Sequence, residues 1–156
     1  MMPDSTVKEQ SLNPQPKGRP QTQVTAAAEK LDERILLALH AASDKKAIDP
    51  VVLDLREIAS FTDYFVITNG ANERQVQAIA DGVSDTLKKA GSPAARVEGY
   101  KTAEWILLDY GDFIIHVFEQ KARSFYDLER LWRESKRVDL PSEFNAESVI
   151  SLRRES

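Results

Sequence analysis

The 156 residues suit one compact domain with tail to spare, since a domain of roughly 110 residues buries a real core. There is no cysteine and there are only two histidines, which excludes disulfides, thiolate chemistry and Cys-based zinc and disfavours a His-rich metal site. A net charge of −4 and a pI of about 5.3 make general nucleic-acid binding a poor first reading, because such binding rests on neutralising phosphates, while a basic protein partner stays compatible.

Residues 1–24 hold Pro3, Pro14, Pro16 and Pro20 among Gln, Ser, Thr and Lys, with little to bury, and read as a disordered N-terminal tail. No apolar run approaches the roughly 18 residues of a membrane span. The start lacks a secretory layout, and Asp4 and Glu9 oppose a transit peptide, so a cytoplasmic, non-membrane protein is expected. From Thr25 the pattern changes. Ala28, Leu31, Ile35, Leu39 and Ala42 recur three or four apart, the mark of an amphipathic helix. Asp49-Pro50 interrupts it, and VVLDL (51–55) and DYFVIT (63–68) follow as strands. Too little chain separates them for a helical crossover, so they should pair antiparallel.

Asn72 and Gln75 have capping-box spacing, which starts a helix at Glu73 with Val76, Ile79, Ala80, Val83 and Leu87 as its apolar stripe. Gly91 before Ser92-Pro93 ends it. ARVEG (95–99) is a weaker strand candidate, and 104–109 and 113–118 are strong ones. Ser124 and Asp127 again have capping-box spacing and predict a helix over 125–132. After Pro141 the apolar pattern thins, and 135–156 is expected to be a loose C-terminal tail. The folded domain is thus expected over 25–134, with the order α-β-β-α-β-β-β-α. That order defines an α/β fold with a single mixed β-sheet and packed helices.

WILLDYGDFIIHVF (105–118) reads as a hairpin tipped by Tyr110-Gly111, with Asp109 opposite Asp112 and Trp105 opposite His116. Alternation gives one apolar face, Ile106, Leu108, Phe113, Ile115 and Val117, and one mixed face that carries Trp105, Leu107, Asp109, Asp112, Ile114, His116 and Phe118. An enzymatic reading would pair Asp109 with Asp112 and make His116 the base. Both acids at a solvated tip ionise freely, and His116 lies at the far end, so turn solvation and a packed, hydrogen-bonded histidine fit better. The mixed face is either covered by helices, with Trp105 as core, or open as a partner surface with Trp105 as anchor. Three expected helices, two of them needed on the apolar face, favour the open surface.

The residues TDYFVITNGANERQVQAIAD (62–81), VEGYKTAEWILLDYGDFIIHVF (97–118) and ARSFYDLERLW (122–132) together resemble the Iojap family, the bacterial ribosomal silencing factors. The likeness spans about residues 27–133. It implies a nucleotidyltransferase-like fold without the catalytic signature, and here the Gly70 turn before the second helix is not the usual Gly-Ser and no strand carries an Asp-x-Asp pair to hold magnesium. It also implies a non-enzymatic factor with no cofactor and no metal. Such a factor would bind the large ribosomal subunit through large-subunit ribosomal protein fourteen, block joining of the small subunit and repress translation when nutrients are limiting. No direct sequence-specific nucleic-acid contact is expected, and a homodimer is compatible. By motif position the resemblance assigns partner binding to Trp105, Asp109, Tyr110, His116, Arg123, Tyr126, Leu128 and Glu129. The rival reading is a relict nucleotidyltransferase or small metal-dependent hydrolase using Asp109 and Asp112.

Overall fold

The computed structural model describes residues 31–144. The expected N-terminal tail, the helical pattern before Leu31 and the end of the chain from 145 lie outside the described residues. The unit that contains the sheet begins at Glu33. Its elements are α1 (Glu33–Asp44), β1 (Ile48–Asp54), β2 (Tyr64–Gly70), α2 (Glu73–Lys89), β3 (Arg96–Glu98), β4 (Trp105–Asp109), β5 (Phe113–Glu119), α3 (Gln120–Tyr126), α4 (Leu128–Leu131) and β6 (Lys136–Arg137), followed by a 3-10 turn at Ser142–Phe144.

The six strands form one mixed sheet in the order β3-β4-β5-β2-β1-β6. β1 and β2 pair antiparallel, as the short connection between them requires, and β2 runs parallel to β5. Helix α2 starts where the capping residues place it: Asn72 Oδ1 accepts the Gln75 N–H at 2.9 Å, and the Gln75 side chain accepts the Ala71 N–H at 2.7 Å. Its stripe of Val76, Ile79, Ala80, Val83 and Leu87 is buried. α2 lies beside α1 and over β4, β5 and β2, where Ile106, Leu108, Phe113, Ile115 and Val117 are almost completely buried. The expected apolar face is therefore the helix-covered face.

The hairpin keeps its expected faces but not its expected pairing. Trp105 opposes Phe118, Leu107 opposes His116 and Asp109 opposes Ile114, a shift of two residues. The tip is Gly111-Asp112, closed by the Tyr110 N–H donating to the Phe113 carbonyl at 3.0 Å. Gly111, at φ +85°, occupies the first turn position, where a positive φ is needed and a tyrosine would be strained. A two-residue shift leaves each side chain on its original face, whereas a one-residue shift would have inverted them.

The C-terminal helix also differs from expectation. Its first cap is Glu119, whose carboxylate accepts the Lys121 and Ala122 N–H groups, so the helix begins at Gln120 and Ser124 sits inside it. Asp127 adopts the left-handed conformation (φ 49°, ψ 56°), which ends α3 and turns the chain into α4. Residues 136–144, expected in the loose tail, add β6 along the edge of β1 and bury Phe144 against the His40 ring, at 4.9 Å between centroids.

Candidate partner interface

The second face of the sheet is built from Val51, Leu53, Phe65, Ile67, Ile114 and Phe118, with Ala122 of α3 and Leu128 of α4 buried against it. The short helices cover only part of this face. Trp105 and Leu107 of β4 and Trp132 just after α4 pack on the cluster and remain half-buried. The two readings of the mixed face thus divide it: core beneath α3 and α4, surface beyond them.

The rings on this side of the sheet form one network, with Phe65, His116 and Phe118 buried and others exposed. Phe61 contacts Phe65 and Trp132, and Phe65 contacts His116 edge-on at 4.4 Å. Trp105 lies 5.0 Å from Phe118 and 4.8 Å from Tyr126, and Tyr126 meets Phe125 edge to face. Phe125 is 79% exposed, Leu131 69%, Phe61 57% and Tyr126 42%. Arg130 and Arg133, both exposed, line a groove with Phe125, Tyr126 and Leu131. Several large apolar side chains exposed over one aromatic cluster and rimmed by charge are uncommon on a surface without a partner.

The eight residues assigned by resemblance do not form one patch. Trp105 and Tyr126 lie in the exposed ring layer. His116 lies beneath it, only 3% exposed, and its Nδ1 accepts the Trp105 indole N–H at 3.0 Å. With Nδ1 accepting, the ring proton belongs on Nε2, which is buried without a partner among the described residues. Burial drives the His116 pKa down to about 3, so the ring is neutral and unsuited to act as a base near neutrality. Leu128 is core.

Arg123 and Glu129 are occupied within the fold. The Arg123 guanidinium donates from Nε and Nη2 to the two Glu129 carboxylate oxygens at 3.2 and 3.1 Å. Its Nη1 donates to the Asp49 carbonyl at 2.7 Å and to Asn69 Oδ1 at 2.9 Å. Arg137 adds a third donor to Glu129 at 3.2 Å. This fork ties α3 and α4 to the ends of β1 and β2 and so sets where Phe125 and Leu131 stand.

Asp109 and Tyr110 lie elsewhere. Asp109 accepts the Gly111 N–H at 2.8 Å and pairs with Arg96 at 3.3 Å. Tyr110 is buried, stacked on Phe113, with its hydroxyl unpartnered among the described residues and its pKa pushed up to about 12 by burial. Asp112 pairs with Arg34 at 2.9 Å. The expected opposition of Asp109 and Asp112 is therefore absent, and the two acids answer to different arginines. The carboxyl that Asp112 does influence is Asp63, raised first by burial and then by that neighbouring charge. No group of three His, Cys, Asp or Glu side chains placed to hold a metal occurs among the described residues. No helix among them is long and apolar enough to cross a membrane.

Sequence reasoning missed Phe61, Phe125, Leu131 and Trp132 as surface members. Phe125 and Leu131 fell inside a single expected helix, and their exposure follows from the break at Asp127, which periodicity does not report.

Fold and surface together define a small mixed α/β protein that displays an aromatic face. A family model described as ribosomal silencing factor during starvation matches residues 19–155, and the chain belongs to that family. The ribosomal silencing factor of Halalkalibacterium halodurans is 41% identical over 119 residues, covering 76% of this chain and 97% of the relative. That of Bacillus subtilis is 40% identical over 104 residues, 67% of this chain and 88% of the relative. A crystal structure of a Chromobacterium violaceum protein matches with a TM-score of 0.63 at 35% identity, over 70% of this chain and 88% of its own. The family is regulatory by its description rather than catalytic.

Proposed function

We propose that this protein silences ribosomes by binding the large subunit through large-subunit ribosomal protein fourteen, with the ring layer of the second sheet face as its grip. Occupying that partner would block the small subunit sterically and lower translation under nutrient limitation, in the cytoplasm and without any reaction. Family membership supports the function. The observation that carries the site is the run of exposed Phe125, Leu131, Phe61 and Tyr126 around half-buried Trp105. Such a run has the anatomy of an interface core, an aromatic anchor set among aliphatic groups with arginine at the rim.

Co-sedimentation of the full chain with purified large subunits tests this. Phe125 and Leu131 are the informative positions, because their exposure means that truncation removes contact area and leaves the core alone. Phe125→Ala with Leu131→Ala should fold normally and lose binding by at least about thirtyfold, the equivalent of about 2 kcal/mol. Undiminished binding by that folded variant would remove the patch from the interface. A pellet unchanged by either protein would remove the function.

A further inference from the structure

The indole of Trp105 is only partly buried, and a partly buried tryptophan on a strand keeps some freedom to change rotamer. Three groups limit that freedom here. Phe118 lies on the directly opposed residue, Tyr126 approaches from α3, and His116 Nδ1 accepts the indole N–H at 3.0 Å. The first two are ring contacts without direction. The third is a directed bond to a buried atom, since His116 is 3% exposed and packs edge-on to Phe65 at 4.4 Å and against Phe118 at 6.3 Å.

The arrangement has an energetic cost. Accepting from the indole places the imidazole proton on Nε2, and Nε2 has no partner among the described residues. An apolar side chain would occupy the position without an orphaned donor, so the ring nitrogen facing Trp105 is what distinguishes histidine at this position.

We propose that His116 is a positioning residue for the partner surface. Its Nδ1 fixes the rotamer of Trp105, so that the exposed edge of the indole is presented in its bound orientation before the partner arrives. The inference rests on the reading of the ring layer as the ribosome grip, and assigns His116 no contact with the partner. Preorganisation of this kind improves binding by removing the ordering cost of one side chain at the moment of association.

The test compares His116→Phe, which keeps the ring and removes the acceptor, with His116→Asn, whose side-chain oxygen can stand where Nδ1 stood. Nitrogen-15 spectra of the full chain follow the Trp105 indole N–H, assigned with a Trp105→Phe variant that leaves Trp132 as the remaining indole. Co-sedimentation with large subunits is measured on the same preparations. His116→Phe should shift the Trp105 indole signal upfield and weaken binding about five- to tenfold, the effect of one net hydrogen bond. His116→Asn should restore both. Trp105→Phe, which removes the donor, should weaken binding without further loss when combined with His116→Phe.

An indole signal unmoved by His116→Phe, or full losses in both variants that simply add, would overturn the proposal while leaving the grip intact. Should His116→Phe fail to fold, the wild-type protein still decides. Its imidazole nitrogens must show an unprotonated Nδ1 and a protonated Nε2, and the opposite tautomer overturns the bond. If Phe125→Ala with Leu131→Ala binds like wild type, the grip itself is elsewhere and the positioning role falls with it.

Discussion

Acidification should destabilise this protein through His116 well before its carboxylates protonate. In the folded state burial holds the ring neutral down to about pH 3, whereas the unfolded chain takes up the proton near the ordinary value of 6.5. The unfolded state thus binds more protons between these values, and stability rises with pH across that window. It is fully present above about 6.5 and is lost progressively as the pH falls toward 3. At pH 5 the loss amounts to about 1.5 pH units of linkage, or about 2 kcal/mol at 1.36 kcal/mol per unit. Burial is the cause of the shift, and the rings of Phe65, Trp105 and Phe118 supply it. Urea unfolding of wild type and His116→Phe at pH 7.5 and pH 5.0 measures the effect, and the difference of differences cancels contributions from Asp and Glu. Wild type should lose about 2 kcal/mol more than the variant. Parallel losses in the two proteins would show that His116 titrates alike in both states, and the reasoning from burial would fail.

Further outcomes follow from the same contacts. Arg123→Ala strips Glu129 Oε1, the Asp49 carbonyl and Asn69 Oδ1 of their donor and leaves Oε2 to Arg137 alone, and breaking such an enclosed pair should cost about 3 kcal/mol in urea unfolding. Arg123→Lys should recover little of that, since a single ammonium cannot reproduce the fork. Gly99→Ala should destabilise the chain and disturb Trp105 fluorescence, because at φ +80° an added Cβ would run into the Trp105 carbonyl. Asp109→Asn with Asp112→Asn should leave large-subunit binding within about twofold, because surface pairs with Arg96 and Arg34 contribute about 1 kcal/mol or less to folding and lie outside the ring layer.

What could be read from the chain was whatever depends on period. The stripe of α2, the cap at Asn72 and the two faces of the β4–β5 hairpin follow from spacing, and spacing is local. The hairpin register was also legible in principle, since Gly-Asp with glycine first is the more natural two-residue turn than Tyr-Gly. The break at Asp127 was not, because a left-handed aspartate inside FYDLERLW leaves no periodic trace. The division of the assigned residues into a ring layer, a buried acceptor and an ion-pair fork depends on long-range contacts. Arg123 and Asn69 are separated by 54 residues and meet only once the sheet has formed. The resemblance marked segments as important and could not say which of their residues hold the fold and which stand exposed.

The central claim is that the exposed ring layer keeps the two ribosomal subunits apart. Its most direct test is subunit joining, followed on sucrose gradients with purified large and small subunits and the full-length protein. Wild type should shift joined particles into free subunits in proportion to its concentration, and Phe125→Ala with Leu131→Ala, folded as judged by its melting curve, should leave them joined. Joining unaffected by saturating wild-type protein, or blocked equally well by the double variant, would contradict the account.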